Sequence, residues 1–102
     1  MRGSLKRGLA LVRRRTPRGE PLRVRLYEKE DCGLCAEAYR ALTRVRMDMP
    51  LEIERVDIAT DPALFARYAL RIPVVAVANA EQDAAGMSDR ALMAWLREVL
   101  DR

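Results

Sequence analysis

The residues of this chain best suited to covalent chemistry are two thiols. Cys32 and Cys35 are its only cysteines, set in the run Cys32-Gly33-Leu34-Cys35. Bridged, they would close a loop too short to gain much from chain entropy. The spacing therefore points to redox or metal chemistry rather than to a structural staple. The chain contains no histidine. That removes a Ser-His-Asp triad, a Cys-His pair, a His-ligated metal site and an imidazole base. Two thiolates fall short of the four ligands of a tetrahedral site, so metal carriage would need a dimer or an outside thiol. What remains is chemistry by Cys, carboxylates, Tyr, Lys or the backbone.

A thiol becomes a nucleophile when its thiolate is favoured, and a helix N-terminus does this through its unsatisfied amide groups. The residues around the motif supply such a start. Leu22-Arg23-Val24-Arg25-Leu26-Tyr27 alternates apolar and charged residues, the period of a half-buried strand. After the motif, Leu34, Ala38, Tyr39, Leu42 and Val45 recur at helical spacing. Asp31 or Cys32 can cap this helix and Pro50 stops it. Cys32 then lies at the helix mouth and Cys35 one turn on. This assigns attack on a disulfide to Cys32 and resolution to Cys35.

The rest of the chain continues the alternation of elements. With 102 residues it is one domain, and half its residues are apolar and a third charged, as in soluble globular proteins. Leu51 to Val56 reads as a second strand. Thr60-Asp61-Pro62 starts a helix, with Asp at the cap and Pro in the first turn. Pro73 to Val77 is an apolar run fit for a strand covered on both faces. Asn79 to Gly86 reads as a turn and a weak edge strand. Ser88-Asp89 caps a last helix, with Leu92, Trp95, Leu96, Val99 and Leu100 on one face. Tyr39, Phe65, Tyr68 and Trp95 fall on helix stripes and read as core. The order β-α-β-α-β-β-α gives an α/β fold. Its first two strands are parallel through a right-handed crossover and its last two antiparallel, in a four-stranded mixed sheet flanked by helices.

Charge is unevenly placed: residues 1–21 carry +6 and residues 22–102 carry −2. Residues 1–21 therefore read as a basic N-terminal arm, flexible or a marginal helix, and 22–102 as the domain. Nucleic acid or an anionic surface is only weakly suggested as a partner of that arm. No stretch is apolar for long enough to cross a bilayer, and a C-x-x-C kept reduced fits a cytoplasmic location.

Tyr27-Glu28-Lys29-Glu30-Asp31-Cys32-Gly33-Leu34-Cys35 resembles the active-site segment of glutaredoxins, and Tyr68-Ala69-Leu70-Arg71-Ile72-Pro73-Val74-Val75 resembles the segment in which thioredoxin-fold proteins present a cis-proline. Ala85-Gly86 before Ser88-Asp89 is similar to the Gly-Gly then Asp pattern of glutaredoxins. The anchors span residues 22–100 in order, and the bacterial group with a C-x-L-C motif is the nearest in kind. The resemblance implies a thioredoxin-like fold and thiol–disulfide oxidoreductase activity. It also implies a cis Pro73 opposite the cysteines, with the Ile72 N–H and C=O free to pair with a bound peptide or glutathione. Lys29 would sit near a glutathione carboxylate, and Asp89 near its amino end. No tightly bound cofactor is implied. Glutathione would be a co-substrate, the partner a protein disulfide or a glutathione mixed disulfide, and a reductase a further partner.

Departures from the pattern shape the expectation. Ala85 replaces the first Gly of the pair. Asp31 stands where thioredoxins carry Trp, and Leu26 where they carry a buried acid. Glu28, Glu30, Asp31 and Glu37 surround the motif, and negative charge raises a thiol pKa. The Cys32 thiolate is thus expected to be less favoured than in typical glutaredoxins. Thiolate absorbance of a C35S variant checks this, and a pKa below about 5 would contradict it. Two other readings compete: a non-catalytic binding or adaptor module using the Ile72-Pro73 face, and a dimeric iron–sulfur or metal carrier.

Overall fold

The computed structural model describes residues 20–102. The basic arm expected over 1–21 lies, for residues 1–19, outside the described residues. Strand β1 (Leu22–Glu28) alternates because it divides two environments. Leu22, Val24 and Leu26 are buried on one side, while Arg23 is exposed and Arg25 half-buried. Helix α1 (Gly33–Val45) lays Ala38, Ala41, Leu42 and Val45 on that apolar side. A turn around buried Met49 leads to β2 (Leu51–Asp57), parallel to β1 in the register Leu22↔Leu51 through Glu28↔Asp57.

Local capping fixes the elements after β2. The Asp57 carboxylate accepts from the Ala59 N–H (2.9 Å) at a 3-10 turn, Ile58–Thr60. The Asp61 carboxylate accepts from the Ala63 N–H (2.8 Å) and Pro62 opens α2 (Pro62–Tyr68). Proline is harmless there because its missing N–H would have been unpaired. Strands β3 (Val74–Val77) and β4 (Ala80–Asp83) form a hairpin, and Ser88 caps α3 (Asp89–Leu100) by accepting from the Ala91 N–H (3.1 Å).

The sheet order is β2-β1-β3-β4, with β1 antiparallel to β3 and β3 to β4. Every residue of β3 is buried. Val75 and Val77 join Leu26, Leu42, Leu92 and Leu96 beneath α1 and α3. Val74 and Ala76 join Tyr27, Ile58 and Tyr68 beneath α2. This is the four-stranded mixed sheet with helices on both faces that defines a thioredoxin-like fold. One core assignment is corrected: Phe65 is 44% exposed. Helix α2 has only two turns, and its inward side is used up by Tyr68 and Leu64. Among the described residues, no helix is long and apolar enough to cross a membrane.

The β3–β4 turn holds Ala78 at φ +52, where a Cβ is strained. The Ala78 carbonyl accepts from Arg25 Nη2 at 2.8 Å, which fixes the turn against β1. Ala78→Gly is expected to stabilise the fold by about 0.5–1 kcal/mol, relief of strain exceeding the entropy lost. Urea unfolding at constant slope checks it.

Candidate active site

At the end of β1 the chain turns through Lys29, Glu30 and Asp31 into α1. Asp31 takes φ +58, a left-handed conformation that Asp tolerates better than most residues. Cys32 follows in extended conformation as the N-cap of α1, and its Sγ accepts a hydrogen bond from the Cys35 N–H at 3.2 Å. The cap is therefore a sulfur, where Ser or Asp is usual. No acidic residue lies in the first turn of α1 to offset the amide field. Cys32 and Cys35 are joined as a disulfide, with Cα atoms 5.2 Å apart. Cys32 is half-buried, whereas Cys35 retains 1% exposure.

Cys32 opens into a cleft of about 290 Å³ with charged walls: Glu28 from β1, Lys29, Glu30 and Asp31 from the turn, Arg55 and Asp57 from β2. Arg55 grips Glu28 through two bonds, Nε to Oε2 at 2.6 Å and Nη2 to Oε1 at 3.1 Å. Its guanidinium carbon also lies 3.8 Å from the centre of the Tyr39 ring. The hydrogen bonds that Arg55 donates to Glu28 hold its guanidinium above the ordinary range. Glu28 is thus paired. Glu37 lies in another groove, beside Arg40 and Arg44. Of the four acids expected around the cysteines, only Glu30 and Asp31 stand in the cleft without a salt bridge among the described residues.

Sequence reasoning missed Arg55, although a signal existed. Leu51, Ile53 and Arg55 follow the two-residue period of β2, as Leu22, Val24, Leu26 and Glu28 do in β1. On the α1 side of each strand the apolar series therefore gives way to charge, Glu28 in β1 and Arg55 followed by Asp57 in β2. An acid and a base at the ends of two parallel apolar series are a pairing signal once the register is known.

The Ile72–Pro73 peptide bond is cis and Pro73 is fully buried. Tyr27↔Val74 pairing places the start of β3 beside the end of β1, the end of the sheet from which the Cys32 turn leaves. Ile72 requires a correction. Its N–H donates to the Tyr68 carbonyl at 3.0 Å, closing the turn after α2, and so is not free for a ligand. Asp89 is also engaged, its two oxygens taking Arg44 Nε at 2.7 Å and Nη2 at 2.9 Å. The Arg44 hydrogen bond holds the Asp89 carboxyl below its usual value. Asp89 faces a groove with Arg40, Arg44 and Arg90, not the Cys32 cleft. The structure thus brings together Lys29, Cys32 and Cys35 in or beside one cleft, sets Ile72 and Pro73 at the same end of the sheet, and places Asp89 in the neighbouring groove.

A second network pins the loop that carries Pro73. Arg71 donates to Asp83 Oδ1 from Nε (3.1 Å) and Nη2 (2.9 Å), and Nη2 also lies 3.1 Å from Glu81. Tyr68 donates its hydroxyl to Glu81 at 2.5 Å and stacks on Tyr27 with ring centres 4.1 Å apart. Burial first, then the bond to Glu81, pushes Tyr68 up to about 12. The hydrogen bond from Tyr68, with help from Arg71, holds Glu81 below the ordinary carboxylate value. The signs are opposite. The Tyr68 contribution to stability is complete below its ordinary value of 10.0 and is lost as pH rises towards about 12. The Glu81 contribution is present above its ordinary value of 4.5 and fades as pH falls below it. Tyr68→Phe is expected to cost about 1–3 kcal/mol at pH 7, and that cost should shrink between pH 10 and 12. Thermal unfolding across pH measures both.

Among the described residues, no group of three or more His, Cys, Asp or Glu side chains is placed to hold a metal ion. A surface depression of about 620 Å³ between Arg23, Arg25, Glu52 and Glu54 lies at the opposite end of β1 from the cysteines.

A C-x-x-C at a helix mouth, beside the loop that leads into β3, defines a thioredoxin-fold protein of the redox type. Residues 23–97 match the family described as "Glutaredoxin-like domain (DUF836)". The X-ray structure of target protein XcR50 from X. campestris is 34% identical with a TM-score of 0.65, covering 74% of this chain and 96% of that one. The solution structure of protein Ne2328 from Nitrosomonas europaea is 26% identical with a TM-score of 0.65, covering 78% and 96%. None of the curated proteins matches the chain. The chain belongs to the glutaredoxin-like domain family.

Proposed function

We propose that this protein is a thiol–disulfide oxidoreductase of a reducing, cytoplasmic compartment. The observation that carries the reading is the placement of the two sulfurs: the half-exposed Cys32 sulfur accepts an amide hydrogen bond from the first turn of α1, with the buried Cys35 sulfur directly behind it. In the reduced protein that amide would stabilise a Cys32 thiolate. The thiolate attacks a substrate disulfide, forming a mixed disulfide at Cys32 and releasing the first substrate thiolate, which takes up a proton. The Cys35 thiol then loses its proton and attacks the Cys32 sulfur. The Cys32–Cys35 bond forms and the second substrate thiolate leaves. Two electrons have passed to the substrate, and two equivalents of glutathione or a dithiol reductase return them.

The substrate class is a protein disulfide or a glutathione mixed disulfide. Lys29 in the cleft would meet a carboxylate of such a partner. The Ile72 carbonyl and Pro73 would border the partner's backbone. Asp89 would reach an amino group only by exchanging Arg44. The test supplies the reduced protein with a glutathionylated peptide and with a peptide holding an internal disulfide, dithiothreitol being the reductant. Catalysed consumption of either supports the reading. Consumption of neither above the dithiothreitol background would contradict it and leave a non-catalytic binding module.

A further inference from the structure

The Glu28–Arg55 pair is the feature of the Cys32 cleft that thiol exchange itself does not explain. Glu28 takes the position after Leu22, Val24 and Leu26 on the α1 side of β1, and its side chain is only 12% exposed. Arg55 follows Leu51 and Ile53 on the same side of β2, opposite Leu26 and diagonal to Glu28, bonded to Glu28 twice and laid on the Tyr39 ring. Glu28 is thus largely withdrawn from water, while the Arg55 side chain that answers it is 49% exposed. The pair lines the same small cleft as the Cys32 sulfur. Across a cleft of about 290 Å³ charges are only partly screened, the Debye length being about 8 Å in physiological salt.

We propose that Glu28 and Arg55 are positioning residues that set the ionisation of Cys32 by cancelling each other's charge in its cleft. The inference rests on the thiol-exchange reading and adds the groups that tune its nucleophile. The other charges facing the sulfur are Lys29, Glu30 and Asp31 on the turn and Asp57 at the end of β2, with the amides of α1 behind it. Paired, Glu28 and Arg55 add little to that field. Unpaired, either one shifts it, and the two act in opposite directions: a lone carboxylate disfavours the thiolate, and a lone guanidinium favours it. The bidentate grip matters because it holds both charges at fixed places, which a flexible surface pair does not.

The test reads the Cys32 thiol pKa by thiolate absorbance in a C35S background, with far-UV circular dichroism on each variant. Arg55→Gln is expected to raise the pKa by about one unit, and Glu28→Gln to lower it by a comparable amount. Arg55→Lys, which keeps the charge, should stay near the parent, and the E28Q/R55Q double variant should return to it. Opposite shifts that cancel are the signature; a purely structural role would move both single variants the same way or not at all, and either result overturns the proposal. If Arg55→Gln does not fold, Glu28→Gln decides alone, and an unchanged or raised pKa there overturns it. The ionisation is measurable whether or not substrate turns over. A correct pattern with no turnover by the parent would therefore sink the oxidoreductase reading and leave this one standing.

Discussion

Cys32→Ser is expected to remove catalysed disulfide reduction to background, because a Ser hydroxyl stays protonated and cannot form the mixed disulfide. Cys35→Ser should behave differently. Its Cys32 sulfur keeps the helix-terminal position and half-exposure, so the first attack survives and the mixed disulfide accumulates. Turnover of substrates needing the intramolecular second step should fall steeply. Reduction of a glutathione mixed disulfide should persist wherever free glutathione can resolve the intermediate. Intact-mass analysis of each variant after exposure to glutathione disulfide separates the roles: an adduct on C35S and none on C32S. The reverse pattern would exchange the assignments and contradict this structure, in which Cys35 at 1% exposure cannot meet a substrate.

The second large effect concerns the scaffold. Leu42 has no exposed surface and lies on the face of α1 that packs against Leu26 and Val75 of the sheet and Leu92 and Leu96 of α3. Leu42→Ala should cost about 2–5 kcal/mol, because a sheet and two helices cannot close over the lost volume without shifting. For a domain of this size that lowers the melting temperature by about 10 °C or more. Helix α1 begins at the cysteines, so undocking it should also loosen the Cys32 cap, and the variant should show faster Cys32 alkylation before global unfolding. A change below about 1 kcal/mol would contradict the packing account.

The site's covalent part is legible in the sequence because it is local. C-x-x-C after an alternating strand and before a helical stripe places both sulfurs with no tertiary information, and Cys32 is indeed the cap. The crossover rule and the short β3–β4 turn give the orientation of β1 with β2 and of β3 with β4, but not the antiparallel β1–β3 pairing that sets the strand order. The features that escape depend on register and packing between distant residues. Arg44 and Asp89 lie 45 positions apart and meet only because α1 and α3 pack together. Alternation alone leaves Glu28 and Arg55 as two unrelated strand charges, and only the parallel register of β1 and β2 shows both on the α1 side. The Ile72 N–H is expected to serve a ligand, but the turn after α2 reaches one residue further and takes it. Phe65 fails for the opposite reason: its helical spacing is sound, but α2 ends before a second inward row can form.

The central claim is that Cys32 and Cys35 form a working dithiol–disulfide couple. A redox titration in glutathione buffers, with the state of both thiols read by alkylation and mass, tests it most directly. One two-electron transition is expected, cooperative between the two cysteines, with a potential between about −270 mV, as in thioredoxin, and about −180 mV, as in protein disulfide isomerase. A pair that stays oxidised or stays reduced throughout, or cysteines that react independently as separate glutathione adducts, would contradict it.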